Sequence, residues 1–154
     1  MTRIWRISNY ADLQGAGGER GTGRWHRYVR IVYCAENASN AMLETLVHLE
    51  IDSLDDLPAH YQLLEIAVPA HIVIAELPAS SLPEHWRDDE SLTQQLGMTW
   101  LGERTTALLR VPSAVMPTEH NLLLNPAHRE AEQIRIVSAH HCPYDQRLFK
   151  PVGH

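Results

Sequence analysis

The stretch that decides the fold covers residues 20–50, RGTGRWHRYVRIVYCAENASNAMLETLVHLE. Its first part places arginines between glycines, and its second part, residues 28–33, alternates apolar and other side chains. This alternation predicts a short strand whose last residue is Tyr33. One face of that strand would carry Val29, Ile31 and Tyr33, and the other Tyr28, Arg30 and Val32. A strand that leads directly into a helix brings charge, aromatic surface and flexible backbone together, as small-molecule sites commonly do.

A helix is predicted after this strand. Either Asn37 or Ser39 can cap it, because a short polar side chain accepts bonds from the first free N–H groups. The predicted apolar stripe consists of Met42, Leu43, Leu46, Val47 and Leu49. Glu44 lies outside the centre of this stripe at about 100° per residue. Periodicity alone therefore indicates a solvated helix carboxylate.

On the N-terminal side, residues 3–7 predict a short first strand. Ile4 and Arg6 would share one face of it, and Trp5, expected in the core, would share the other with Ile7. Residues 13–26 form a glycine-rich loop that lacks the lysine and the strand–loop–helix context of a phosphate-binding P-loop. Its glycines serve either a close approach of the backbone to a ligand or ordinary turns.

On the C-terminal side, a polar connector over 53–62 precedes alternating strands and one further helical region. Strands are predicted at 63–69, 71–77, 106–111, 121–125 and 131–139. Residues 89–100 predict a helix capped by Ser91, with Gly97 ending or interrupting it and a second short helix from Leu101. The tail is expected to dock Leu148 and Phe149. Because strands outnumber helices and do not alternate strictly with them, the pattern favours an α+β fold.

Composition excludes several classes of protein. The 154 residues and 44% apolar content suit one domain, 1–154, with a real core. A formal charge of −6 argues against general binding to nucleic acid or anionic membranes. No apolar run approaches the roughly 18 residues of a membrane span, and no secretory signal is visible, so a cytoplasmic location is expected. Cys34 and Cys142 are expected to be reduced thiols.

Several blocks, taken in order, resemble one known family. They are IWRISNYADL, GRWH, VYCA, AMLETLVHLEID, VPSAVMPTEHNLLLNPAH and YDQRLF. These blocks cover nearly the whole chain and resemble the RES-domain toxins of Xre–RES toxin–antitoxin pairs. The family is named after an arginine, a glutamate and a serine. Glu44 aligns with the glutamate, Ser113 with the serine, and either Arg24 or Arg6 with the arginine.

The resemblance implies a compact core similar to that of ADP-ribosyltransferases, in which a split, mostly antiparallel sheet with flanking helices holds NAD. It also implies that NAD is a substrate, not a cofactor, and that the nicotinamide–ribose bond is broken. Glu44 would stabilise the ribosyl cation, and Arg24 or Arg6 would bind the pyrophosphate. Tyr33 would stack on nicotinamide or bond to ribose, while Ser113 and Asn121 would hold ribose or amide groups.

Alternatives remain open at this point. The acceptor of the ribosyl group is water, phosphate or, in an ADP-ribosyltransferase, a protein. The resemblance further implies an Xre-type helix-turn-helix antitoxin as partner, and it allows a homodimer within that complex. A non-enzymatic binding module is a competing hypothesis. Adjacent His140, His141 and Cys142 could bind zinc, but they lack the usual ligand spacing, so no metal site is expected.

Overall fold

The structure is a computed structural model and describes residues 1–48, 60–141 and 144–149. Its strands are β1 (Thr2–Ser8), β2 (Thr22–Gly23), β3 (His26–Arg27), β4 (Val32–Ala35), β5 (Gln62–Val68), β6 (Ile74–Glu76), β7 (Leu108–Pro112), β8 (His120–Leu124) and β9 (Arg135–His141). Its α-helices are α1 (Ala38–His48) and α2 (Glu90–Glu103). Short 3-10 turns occur at Ala16–Arg20, Ala79–Ser81, Trp86–Asp88, Ala131–Gln133 and Gln146–Phe149. The predicted α+β class is confirmed.

Seven strands form one mixed sheet in the order β6-β7-β8-β4-β1-β5-β9, and β2 pairs with β3 in a separate ribbon. Every pairing in the large sheet is antiparallel except that of β6 with β7. Strands β5 and β8 agree with the sequence prediction, and β6 is shorter than predicted. The polar connector predicted at 53–62 lies largely outside the described residues. Among the described residues, no helix is both long enough and apolar enough to cross a membrane.

The sheet splits between β1 and β4, as the resemblance implied. These two strands pair only at Trp5 and Ala35. By contrast, β1 pairs with β5 along its whole length, from Thr2 opposite Val68 to Ser8 opposite Gln62. Helix α1 packs on β1 and β4. The split and the helix therefore enclose a space at the centre of the sheet.

Two apolar clusters lie on opposite faces of the sheet. The first contains Ile4, Cys34, Leu64, Leu108 and Leu124 among others. Ile134 is buried in this cluster and Ile136 packs against it. The second cluster, built around three tryptophans, contains Trp25, Trp86, Trp100, Val111 and Leu123 among others. Alternation along β7 and β8 sends successive side chains to the two clusters.

The strand predicted over 28–33 was wrong in its first four residues and in its end, which lies at Ala35 and not at Tyr33. Strand β4 begins only at Val32, and the chain before it turns. Tyr28 adopts a left-handed backbone with φ of 50° and donates its N–H to the carbonyl of Gly21. Its side chain is 66% exposed. The apolar alternation here reflects burial of Ile31 in an irregular segment, which periodicity cannot distinguish from a strand.

The predicted apolar stripe of α1 was also wrong. The buried residues of this helix are Asn40 and Ala41, whereas Val47 is 58% exposed. Leu49 lies outside the described residues. The helix packs Asn40 towards the sheet because Asn40 Nδ2 donates a hydrogen bond to Asn121 Oδ1 on β8 at 2.8 Å. Its cap is Asn37, whose Oδ1 accepts the N–H of Asn40 at 2.8 Å.

The second helix and the tail required further corrections. Asp89, not Ser91, caps α2, because its carboxylate accepts the N–H of Leu92 at 3.1 Å. The helix continues through Gly97 to Glu103 as a single element. The side chain of Leu148 is 49% exposed and not docked, and that of Phe149 lies outside the described residues.

Candidate functional site

A cavity of about 420 Å³ lies over the split, between β1, β4, α1 and the β2–β3 ribbon. Its volume falls in the range of small-molecule sites, roughly 300–1,000 Å³. Five of the six predicted site residues line it, namely Arg6, Arg24, Tyr33, Glu44 and Asn121. The sixth, Ser113, is fully buried and contacts Glu44. The structure therefore brings all six predicted residues to one place.

The carboxylate of Glu44 is held by two donors. Ser113 Oγ donates to its Oε1 at 2.6 Å, and Asn121 Nδ2 donates to the same oxygen at 2.8 Å. Asn121 is fixed in turn, because its Oδ1 accepts a bond from Asn40 Nδ2 at 2.8 Å. Within the described part of the chain, the second carboxylate oxygen, Oε2, accepts no hydrogen bond from the protein. The arrangement can present that oxygen to a ligand in a defined orientation.

Ser113 also organises its own loop. Its Oγ accepts the backbone N–H groups of Val115 and Met116, each at 3.1 Å. The hydroxyl thus accepts two bonds and donates its single proton to Glu44. Its proton and lone pairs are fully engaged, which suits a hydrogen-bonding role and not a nucleophile.

The hydroxyl of Tyr33 belongs to a second network. It accepts the N–H of Trp25 at 3.1 Å and lies 2.7 Å from His26 Nδ1. The other ring nitrogen of His26, Nε2, lies 3.0 Å from the carbonyl oxygen of Gly18. Burial raises the pKa of Tyr33, with smaller opposing effects from its bond to Trp25 and from Arg24. Tyr33 therefore acts as a neutral phenol.

The two candidate arginines are held differently. Arg6 Nη1 donates to the backbone carbonyl of Tyr33 at 2.8 Å and so bridges the split between β1 and β4. Arg24 Nη1 donates to the carbonyl of Arg87 at 2.9 Å at the exposed rim of the cavity. Each guanidinium has five N–H donors, so both keep donors for an anionic ligand. The geometry leaves both Arg6 and Arg24 as candidates.

Helix α2 holds the ribbon that carries Arg24. Thr93 Oγ1 donates to the carbonyl of Arg24, and Gln94 Nε2 donates to the carbonyl of Gly23 at 2.9 Å. Gln94 also accepts a bond from Arg27 Nε at 2.9 Å. These contacts fix the backbone of the ribbon although it contains only two residue pairs.

The sequence did not predict the contacts of His26 and Asn40, or the hydrogen bonds from Thr93 and Gln94 to the ribbon. His26 stands in the GRWH block, so the resemblance marked its position but not its role. No local pattern indicated Asn40, because the predicted apolar stripe of α1 did not include it, whereas the structure buries it. Thr93 and Gln94 meet the ribbon across about 70 residues of chain, and such contacts are invisible to periodicity.

The histidine pair considered as a zinc site lies elsewhere. His140 and His141 are exposed on β9, and Cys142 is outside the described residues. Within the described ranges, no three His, Cys, Asp or Glu side chains are grouped to hold a metal ion.

Sequence comparison with known proteins defines the class of protein. The family model described as RES domain matches residues 3–145. A protein named Toxin Res from Pseudomonas putida is 46% identical over 147 residues, covering 95% of this chain and 99% of its own length. A protein named Prs ADP-ribosylating toxin from a Sphingobium species is 37% identical, with 97% and 98% covered.

A solved structure shares the fold. It is that of the M. tuberculosis MbcT–MbcA toxin–antitoxin complex, with a TM-score of 0.71 at 18% identity over 96% of this chain and 86% of that one. This chain belongs to the RES-domain toxin family.

Proposed function

We propose that this protein is the toxin of a toxin–antitoxin pair and that it consumes NAD by cleaving the nicotinamide–ribose bond. One observation carries the proposal: the Glu44 carboxylate, held by Ser113 and Asn121, lines the same cavity as two arginines and a neutral tyrosine. Family membership and the toxin names of the relatives support it.

The chemistry fits these groups. When the bond from ribose C1 to the nicotinamide nitrogen breaks, both electrons go to the ring nitrogen and the base leaves neutral. It therefore needs no acid, whereas the ribosyl fragment becomes an oxocarbenium-like cation. A fixed carboxylate stabilises such a cation, as carboxylates do in glycoside cleavage. Glu44 takes this role, and its orientation by two donors avoids reorganisation during the reaction.

The arginines recognise the phosphates. A guanidinium forms paired, charge-assisted bonds to phosphate oxygens, and the donors of Arg6 and Arg24 flank the cavity from its base and its rim. Water or a phosphate oxygen then forms a bond to C1 and captures the cation, and an attacking water releases its extra proton to the solvent. Tyr33 bonds to or stacks on the ligand between these groups.

The direct test is NAD turnover by the purified protein. Nicotinamide release without any protein acceptor is expected, and Glu44→Gln should abolish it because the amide carries no charge to oppose the cation. Glu103→Gln is the matched control, since Glu103 is an exposed helix glutamate at the end of α2. Full turnover in a folded Glu44→Gln protein would refute the mechanism. No NAD loss in the wild type, freed of any antitoxin, would favour the non-enzymatic binding module.

A second candidate is transfer of ADP-ribose to a protein. The relative named an ADP-ribosylating toxin, 37% identical over nearly the whole chain, favours it specifically. The two reactions share bond cleavage and differ in the nucleophile that captures C1. Incubation with NAD labelled in its adenosine half distinguishes them. Label retained on a protein band identifies transfer, and label released only as small molecules identifies degradation.

The proposed partner is an Xre-type helix-turn-helix antitoxin that binds the toxin and suppresses its activity. A solved relative of the same fold is a toxin–antitoxin complex. Co-expression with the product of the neighbouring gene tests the proposal: the two proteins should co-purify, and the complex should not consume NAD. A homodimer within that complex is part of the proposal, and the mass of the complex in solution tests it.

A further inference from the structure

His26 lies between the tyrosine of the cavity and the glycine-rich loop. The residue is only 4% exposed, and both of its ring nitrogens have protein partners. Nδ1 is 2.7 Å from the hydroxyl oxygen of Tyr33, and Nε2 is 3.0 Å from the carbonyl oxygen of Gly18. The histidine is therefore fixed at both ends.

The partners determine the tautomer. A carbonyl oxygen can only accept, so the bond to Gly18 requires the proton on Nε2. In a neutral ring, Nδ1 then carries the lone pair, and the hydroxyl of Tyr33 must donate to it. Burial lowers the pKa of His26, against a smaller opposite effect of the bond to Gly18, and so favours the neutral ring. The proton of the Tyr33 hydroxyl consequently points at His26 Nδ1 and is not available to a ligand.

The other hydrogen bond of the Tyr33 hydroxyl determines what the group can still offer a ligand. The N–H of Trp25 donates to one lone pair of the hydroxyl oxygen at 3.1 Å. Because the Tyr33 hydroxyl donates its hydrogen bond to His26, its oxygen can only accept a hydrogen bond from a ligand. Gly23 covers this contact, since a Cβ there would lie 2.5 Å from the Tyr33 hydroxyl oxygen and 2.9 Å from His26 Nδ1. Only glycine lets the ribbon pack this close to the histidine–tyrosine pair.

We propose that His26 is a positioning residue that makes the Tyr33 hydroxyl a hydrogen-bond acceptor toward the cavity, so that this part of the site selects a donor group on the ligand. The inference rests on the proposed function for the ligand's identity. In NAD, the donors near the scissile bond are the ribose hydroxyls and the carboxamide N–H₂. Tyr33 thus reads one of these groups and does not serve as an acid.

Two substitutions of His26 distinguish the hydrogen bond made by Nδ1 to Tyr33 from the one made by Nε2 to Gly18. Asparagine can place an oxygen near the position of Nδ1 and still accept from Tyr33. Glutamine reaches the position of Nε2 and retains only the bond to Gly18. His26→Asn should keep the KM for NAD within about threefold of the wild type, whereas His26→Gln should raise it roughly tenfold, the effect of one lost hydrogen bond.

Tyr33→Phe provides the coupled control. It should raise KM about as much as His26→Gln, and the double variant should be no worse than Tyr33→Phe alone, because both changes remove the same bond. A purely structural histidine would give additive losses and no rescue by asparagine. Equal impairment of His26→Asn and His26→Gln, or additivity in the double variant, would overturn the inference.

The ligand donor is identified by comparing NAD with its deamidated analogue, whose carboxylate cannot donate. A KM for the analogue raised about tenfold in the wild type, and not in Tyr33→Phe, assigns the carboxamide as donor. Equal KM values for the two ligands, both raised by Tyr33→Phe, assign a ribose hydroxyl. Equal KM values that Tyr33→Phe leaves unchanged would overturn the inference.

A measurement without substrate keeps the two proposals separate. Nitrogen-15 NMR of the histidine rings should find His26 protonated at Nε2 and not at Nδ1. A proton on Nδ1 in an enzyme that consumes NAD would overturn the inference and leave the proposed function standing. The expected tautomer in a protein without NAD turnover would support the polarity of Tyr33 and refute the proposed function.

Discussion

At the scale of single residues, Glu44 differs from an ordinary helix glutamate because of its neighbours. A helix glutamate is ordinarily solvated, but here one carboxylate oxygen accepts bonds from both Ser113 and Asn121. Hydrogen bonds to a charged group contribute more than neutral ones, about 1.5–3 kcal/mol each. The two donors therefore orient the carboxylate before any ligand arrives, which is how electrostatic stabilisation becomes effective.

The first prediction concerns this orientation. Asn121→Ala should lower kcat for NAD cleavage by roughly tenfold to a hundredfold, because one of the two bonds to Glu44 is lost. Steady-state kinetics on protein with a native circular dichroism spectrum measures it. Asn9→Ala, at an exposed asparagine, is the control. An unchanged kcat in Asn121→Ala would show that Asn121 is dispensable for orienting Glu44.

The second prediction concerns pH. Burial lowers the pKa of His26 in the folded protein below its ordinary value of 6.5. The unfolded chain therefore binds a proton at a pH where the folded protein does not, and stability must fall as pH drops below about 6.5 toward the lowered value. Urea unfolding should show this loss in the wild type. The dependence should be smaller in His26→Asn, and an identical slope in both proteins would contradict the assignment.

At the scale of elements, α2 supports the ribbon that carries Arg24. Gly97 lies against the backbone of Trp25, where a Cβ would overlap the carbonyl group. The sequence predicted that this glycine would end or interrupt the helix. Instead the helix continues through Gly97, and the absence of a side chain there allows close packing against the ribbon. This packing offsets the lower helix propensity of glycine.

The third prediction compares two glycines of this helix. Gly97→Ala should lower the free energy of unfolding by roughly 1–3 kcal/mol through overpacking. Gly102→Ala, where the space around the added Cβ is open, should raise it by up to about 1 kcal/mol because alanine favours helix. Urea denaturation of both variants measures the difference. Similar effects of the same sign would show that propensity, not packing, decides at Gly97.

At the scale of the whole molecule, the split sheet creates the cavity. The strands β1 and β4 diverge after a single pair, and Arg6 fills the gap by donating to the carbonyl of Tyr33. Arg6 therefore has a structural partner at the base of the cavity, whereas Arg24 bonds to a carbonyl at its exposed rim. The two arginines should differ in what their loss costs.

The fourth prediction follows from this difference. Arg6→Gln should reduce both the affinity for NAD and the free energy of unfolding, the latter by about 1–3 kcal/mol, because a backbone acceptor at the split loses its donor. Arg24→Gln should reduce affinity and leave stability nearly unchanged. Calorimetric binding and thermal unfolding test the pair together. Equal stability of the two variants would show that Arg6 does not join the halves of the sheet.

The sequence by itself determined the α+β class, most of the strands and the candidate residues that the structure brings together at the cavity. The strands were predictable because burial on a sheet leaves an apolar pattern in the chain, as in β5 and β8. The site was predictable because family blocks carried Glu44, Ser113 and Asn121 together.

Only the tertiary structure decided which side of α1 faces the sheet, why Gly97 is required and what His26 does. Each of these depends on partners far along the chain. Asn40 is buried because Asn121 meets it, Gly97 packs against Trp25, and His26 bonds to Tyr33. Burying a polar side chain costs free energy unless it forms a hydrogen bond. Local periodicity cannot predict a hydrogen-bond partner that lies far along the chain.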